Sequence, residues 1–411
     1  MSSSPSRLFV VLSLLTVALL ALAVLLPAGP KASPGASRSV VAIGDVHGDY
    51  DDFVAILQRV GLIDAQRHWA GGKTTFVQVG DLIDRGPKPR EVLDLMMALQ
   101  EQASKADGQV VSLLGNHEVM NLMGDLRYVT PANYASFTDG DSEKRQKEAL
   151  QKYMAWRKSH SALLAELTQP VLPETEAEWL TRHPLGFIEH REAYGPKGIY
   201  GKWLRQHNAI TRIGEVIFLH GGISPDLSST PIDGLNAQVR DEIRQYDEIR
   251  QSLTDDNVLL PFFTLQESIR VAEAELIAER KQRVSPDQAR QARILQFGGM
   301  DKWLCVREDG PVWFRGYDTW TDDDGGPKVA KILAAYKSTN VVVGHTVQKT
   351  AHIRLRFGGK IMLIDTGMLS SYYPGGKPSA LGITEDGTFT ANYLDQQEVL
   401  VQGKSAQATP K

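Results

Sequence analysis

Asp45 and His47 stand two residues apart, immediately after an apolar run, Val40, Val41, Ala42 and Ile43, that breaks at Gly44. In an extended segment, residues i and i+2 point to the same side, so a carboxylate and an imidazole at this spacing can grip one cation together. Alone, Asp-x-His is a weak signal. It gains weight because the same pattern, an apolar run broken at glycine and followed by a metal-type donor, recurs down the chain. Asp81 lies in GDLIDRG, Asn116 in GNHE, His220 in HGG and His345 in GHT. Carboxylate, imidazole and amide oxygen, with no thiolate among them, are donors for a pair of divalent first-row ions. A single carboxylate can bridge two such ions about 3.5 to 4 Å apart, and Asp81 is the candidate bridge. His47, His117, His220 and His345 share this glycine or asparagine context; His68, His160, His183, His190, His207 and His352 lack it and are read as surface or packing residues.

These donors need strands that end side by side. Residues 40–43, 74–79 and 109–114 read as buried strands, and residues 50–60 and 90–102 carry apolar side chains at helical spacing. Strand, ligand-bearing turn and helix in succession describe an α/β layered fold, with its site beyond the carboxyl ends of the strands. Residues 120–200 and 232–292 break this rhythm with charged helical material and are read as inserted caps, since long excursions from a rigid scaffold commonly carry specificity. Strands are expected again at 215–219, 312–314, 340–343 and 360–364, and residues 396–411 as a polar, frayed tail. Asp322 to Gly326, DDDGG, lacks the alternating oxygens of a calcium loop and is read as a solvated turn. Asp365 is expected to support His345 from behind, and Cys305 to be inert packing.

The chain has 411 residues, a formal net charge of -4 and no sustained basic run, so nothing points to a nucleic-acid partner. Its single cysteine excludes an intrachain disulfide and any multi-cysteine zinc site. Arg7 precedes a nearly unbroken apolar run, Leu8 to Leu26, and a spacer rich in proline, glycine, alanine and serine follows it. Residues 1–38 are therefore an export segment, read as an uncleaved single-pass anchor in preference to a cleaved signal, with residues 39–395 as a catalytic domain outside the cytoplasm.

The blocks GDVHG, GDLIDRG, GNHE, HGG and GHT, in this order, resemble the calcineurin-like metallophosphoesterases, most closely the phosphoprotein phosphatase superfamily. The closing pieces GHTVQ and IDTGM and the long spacer between GNHE and HGG further resemble the Shewanella-like protein phosphatases. The resemblance implies a four-layer sandwich, two mixed sheets packed face to face between helices. It implies two divalent cations, manganese ahead of iron or zinc, one held by Asp45, His47 and Asp81, the other by Asp81, Asn116, His220 and His345. It implies that water activated between them attacks phosphorus, that His117 protonates the departing oxygen, and that Asp84 orients His117. Arg85, and Arg315 in WFRGYD, would clamp the phosphoryl oxygens with planar guanidinium donors. The expected substrate is a phosphorylated protein or small phosphoester. A hydrolase of dinucleoside polyphosphates, nucleotides or lipid-linked pyrophosphates is the alternative enzyme, and a tethered binding protein is the non-enzymatic one.

Overall fold

Alternation within short apolar strands decides the layers. The computed structural model describes residues 39–165, 172–281 and 287–403. In β1 (Val40–Ile43), Ala42 faces one apolar cluster while Val41 and Ile43 face another. The same split recurs in β2 (Thr75–Gln78), where Val77 and Phe76 point opposite ways. β3 follows at Gln109–Ser112, β4 at Ile210–Ile213 and β5 at Val216–Leu219, where Phe218 joins Ala42 and Val77 while Ile217 and Leu219 turn outward. β6 (Asn340–Val343), β7 (Arg354–Arg356), β8 (Ile361–Leu363), β9 (Ser379–Ile383), β10 (Phe389–Tyr393) and β11 (Gln397–Val401) complete the set. Two mixed sheets result, in the orders β11-β10-β9-β1-β2-β3 and β4-β5-β6-β8-β7. One apolar cluster is shared between residues of both sheets, and the other lies between the sheets and the helices, as a sandwich with outer helical layers requires.

Parallel pairing runs through β1, β2 and β3 in the first sheet and through β5, β6 and β8 in the second. Their carboxyl ends therefore face the same way within each sheet. Helices Tyr50–Arg59, Pro89–Lys105 and Asn116–Met123 follow β1, β2 and β3 in turn. The third of these helices begins directly at the GNHE motif, so the strand, turn and helix unit occurs three times where the spacing predicts a helix only after the first two.

Three expectations are corrected. Residues 312–314 form a turn rather than a strand: Trp313 and Phe314 donate to the Gly310 carbonyl, and the Pro311 carbonyl accepts from Gly221 and Gly222. Their apolar character serves packing, because Val312 and Phe314 are buried. Residues 397–401, expected within a polar tail, pair with β10 as an edge strand; exposed Gln397 and Glu398 suit an edge that must not recruit another strand. Asp322 to Gly326 opens the helix Asp322–Ala335, capped by Thr321, with three aspartates placed where the helix dipole favours negative charge.

The two insertions fold as helices, among them Ser142–Ser159 and Phe187–Tyr194 in the first and Ile232–Asp255 and Leu265–Arg280 in the second. They pack on each other. His183 meets Glu267 at 3.3 Å, Leu265 N donates to the carbonyl of Gly124, just after the GNHE helix, and Arg205, which follows the first insertion, grips both oxygens of Asp247 in the second at 2.7 and 2.8 Å. Among the described residues no helix is long and apolar enough to cross a membrane. The expected anchor or signal, residues 1–38, lies outside the described residues.

Candidate metal centre

Each expected ligand stands just past the carboxyl end of a parallel strand: Asp45 and His47 after β1, Asp81 after β2, Asn116 after β3, His220 after β5 and His345 after β6. All six are buried. Bringing five strand ends together needs contacts closer than a β-carbon allows. A Cβ on Gly115 would lie 2.2 Å from Asp81 Oδ1, and one on Gly344 would lie 2.3 Å from Asp45 Oδ1. The turns are also bent into rare conformations: His47, Asp81, Asp84, Arg85 and His345 all have φ between +48° and +68°. Such backbone is held only where its surroundings over-determine it, and it concentrates at functional sites.

The hydrogen bonds fix which imidazole nitrogen looks inward. Nδ1 of His47 donates to the Ile83 carbonyl at 3.0 Å, Nδ1 of His220 to the Val79 carbonyl at 3.1 Å, and Nε2 of His345 to the Trp313 carbonyl at 3.0 Å. Backbone acceptors of this kind set the tautomer and leave the opposite nitrogen with its lone pair, which at His47 now accepts from Arg85 Nη1. Around His220 Nε2 lie Asn116 Oδ1 at 3.0 Å, Asp81 Oδ2 at 3.1 Å and His345 Nδ1 at 3.1 Å. The two imidazoles have already committed their ring protons elsewhere, so four lone-pair atoms face one another with no proton to share. That arrangement is repulsive by itself and fits a cation. His47 Nε2 stands 3.7 Å from both Asp45 Oδ2 and Asp81 Oδ2. Asp81 belongs to both groups: its oxygens cluster with His47 and His117 on one side and with His220 and His345 on the other.

Electrostatics agree with this donor set. Burial, with Asp365 and Asp81 nearby, pushes the Asp45 carboxyl well above its usual range. Burial also opposes the Asp81 carboxylate, but His220, His117 and His47 outweigh it and hold Asp81 well below the usual value. His47 is pushed well down by burial and by His117 and Arg85, and His345 by burial and by His220 and Arg315, so both favour the neutral form that binds metals. Asp365, expected behind His345, instead accepts from the Gly367 N–H at 3.0 Å and lies beside Asp45; burial raises it to about 6, and its Oδ2 is buried without a hydrogen-bond partner. A pocket with three carboxyl groups calls for positive charge.

Beside the cage, His117 Nδ1 donates to Asp84 Oδ2 at 2.7 Å, and Asp84 in turn accepts from Asn121 at 3.0 Å on each oxygen. Arg85 donates Nη2 to His117 Nε2 at 3.0 Å and Nη1 to His47 Nε2. Arg315 reaches the site from the other side, giving Nη1 to the His345 carbonyl at 2.8 Å and to Thr346 Oγ1 at 3.0 Å. His183 and His190 of the first insertion and His207 just after it are buried packing residues, and Tyr317 and Trp320 pack with Phe314.

Two features are not foreseen in the sequence. Glu118, in the fourth position of GNHE, is fully buried and accepts from the backbone N–H groups of Asp81, Leu82 and Gly115, all at 2.8 Å. It ties the β2 turn to the start of the GNHE helix, and its spacing of three from a strand-ending glycine is the signal for such a cap. Burial and the Asp81 charge raise it to about 7. The second feature is aromatic: Tyr128, Tyr372 and Tyr373 surround the Arg85 guanidinium, with ring centres 5.4, 4.9 and 5.5 Å from its carbon.

An uncharacterised protein of Schizosaccharomyces pombe is 25% identical over 351 residues, covering 85% of this chain and 78% of that protein. Shewanella-like protein phosphatase 2 of Arabidopsis thaliana is 29% identical over 219 residues, 49% of this chain and 50% of its own length. The crystal structure of a cold-active protein-tyrosine phosphatase from a psychrophilic Shewanella species is 26% identical, covers 89% of this chain and 81% of that one, and superposes with a TM-score of 0.56. The family model of the calcineurin-like phosphoesterases matches residues 38–349, from the first strand through the GHT turn, and the chain belongs to that family.

Proposed function

We propose that this phosphoesterase hydrolyses phosphomonoesters on protein side chains, with phosphotyrosine preferred, at a centre of two divalent cations bridged by Asp81. The supporting observation is the double membership of Asp81 in two buried donor groups, one with His47 and His117 and the other with His220 and His345, with Asp45 beside His47 and Asn116 beside His220. When bound, the cations would supply Lewis acidity to the phosphoryl oxygens and acidify the attacking water. The residues of the chain do the rest. Arg85 and Arg315 hold the phosphoryl group from opposite sides. Water forms the new bond to phosphorus and releases a proton to solvent as the ester P–O bond breaks. His117, which takes up a solvent proton on Nε2 once Arg85 turns to the phosphoryl group, passes it to the departing oxygen while Asp84 keeps Nδ1 protonated and the ring in place. Inorganic phosphate and the free hydroxyl are the products.

The tyrosine rings around Arg85 support the choice of substrate. A phenyl ring attached to the phosphate held by Arg85 would lie among Tyr128, Tyr372 and Tyr373, where offset or edge-to-face aromatic contacts contribute about 0.5 to 1.5 kcal/mol each. A serine side chain would leave that space to water. Manganese, iron and zinc all suit the donors. The apolar stretch from Leu8 to Leu26 leads us to place the domain outside the cytoplasm, which mass analysis of the exported protein tests together with cleavage. For the reaction, manganese-loaded protein is assayed on phosphotyrosine peptide, phosphoserine peptide and diadenosine tetraphosphate. A kcat/KM highest on phosphotyrosine supports the proposal; faster turnover of the dinucleotide replaces it with the alternative hydrolase.

A further inference from the structure

Away from the metal centre, the two insertions enclose a cleft of about 650 Å³. Its walls carry five basic side chains, Arg145, Lys152, Arg191, Lys197 and Arg250, against three acidic ones, Glu148, Glu192 and Asp247. Two of these charges are already spent elsewhere: Asp247 is paired bidentately with Arg205, and Arg145 with Asp139 and Glu189. Arg191 and Arg250 are different. Neither has a carboxylate within ion-pair distance among the described residues. Arg250 donates to neutral acceptors, the Pro261 and Phe263 carbonyls and the Ser268 and Tyr246 hydroxyls. Arg191 is only 8% exposed, its Nε has no partner, and its one hydrogen bond is a long 3.3 Å contact from Nη1 to the Asn121 carbonyl.

A buried guanidinium without an anion is costly, and the neighbouring Arg250 charge adds to that cost. Consistent with this, burial and Arg250 bring Arg191 down to about 10. Arg205, just after the first insertion, is matched by Asp247; Arg191 has no such match among the described residues. The cleft beside it is far larger than an inorganic ion, and Ile188, Pro261 and Phe262 give it apolar walls.

We propose that this cleft binds a small organic oxyanion, its acid group held by Arg191 and Arg250 and its apolar body lying against Ile188 and Phe262. Lys152 and Lys197 at the mouth are exposed and draw the anion in. The position has a consequence for turnover, because the Asn121 whose carbonyl touches Arg191 also holds Asp84 through its side-chain amide.

Benzenesulfonate, a weak metal ligand with one oxyanion and one ring, is the probe. Calorimetric titration of the manganese-loaded protein is expected to give one equivalent bound. The Lys152→Glu/Lys197→Glu double variant, altered only at exposed positions, should retain its melting temperature and basal turnover of an aryl phosphate while binding the probe about tenfold more weakly or worse. Arg191→Gln should abolish binding, and Arg191→Lys should restore part of it. The proposal is overturned if the wild-type protein takes up no probe, if the double variant binds as tightly, or if the probe competes with aryl phosphate at the metal centre. Inorganic sulfate binding as tightly as benzenesulfonate would overturn the assignment of an organic ligand.

Discussion

Asp81 and Tyr372 belong to one site under opposite constraints. Asp81 is buried, its backbone is held at φ 59° by Glu118, and its Oδ1 accepts from the His117 N–H at 3.0 Å. Tyr372 is 50% exposed, and its ring is placed by ring contacts, edge-on to Tyr373 with centres 4.9 Å apart and beside Arg85. The cage that would hold the cations is thus built by backbone, turn by turn, with every donor oriented by a second bond. The rim that would meet a substrate under the proposed function is built largely by side chains leaning on one another. A rigid cage suits chemistry shared across a family, whereas a loosely held rim can be rebuilt for a different substrate without disturbing the cage.

The contrast predicts a graded series. Asp81→Asn removes the charge shared by both donor groups and should lower kcat by about 10³-fold or more on every phosphoester, since such a centre supplies several kcal/mol to the transition state; normal turnover would dissolve the cage as described. His117→Asn should cost about 10² to 10⁴ on an alkyl phosphate but far less on p-nitrophenyl phosphate, whose departing oxygen needs little help from an acid. Equal losses on both substrates would assign His117 to binding instead.

Glu118→Gln touches no substrate, and the expected effect is a drop of about 10- to 100-fold in metal affinity, read by titrating activity against manganese, with kcat recovered at saturation. A loss that excess metal does not restore would move Glu118 out of its positioning role. Tyr372→Ala should be the mildest change, reducing kcat/KM about three- to tenfold on phosphotyrosine peptide and little on phosphoserine peptide, in line with one aromatic or cation contact of about 0.5 to 1.5 kcal/mol. If both peptides suffer alike, the rim does not read the ring.

The same contrast separates what the sequence discloses from what it hides. Asp45, His47, Asp81, Asn116, His220 and His345 are legible because each is announced locally, by an apolar run, a glycine and a donor, and the strand ends do meet. Asp84 and Arg85 follow from the motif that carries Asp81. Tyr128 and Tyr372 carry no local signal: they are distant in the chain and come together only because the loop after β8 and the first insertion both reach Arg85. The edge strand β11 is hidden for a related reason, since one exposed edge removes the need for apolar alternation. Val312 to Phe314 misleads in the other direction, being apolar for packing while its backbone bonds within a turn. Asp365 is legible as lying near the site, but its having Asp45 for a neighbour depends on how the two sheets face each other.

The central claim is that one carboxylate, Asp81, joins two cations. Anomalous diffraction from crystals grown with manganese tests it most directly. The account predicts two peaks about 3.5 to 4 Å apart, one beside Asp45 and His47 and one beside Asn116, His220 and His345, with Asp81 between them. A single peak, or a pair that leaves Asp81 uncoordinated, would contradict it.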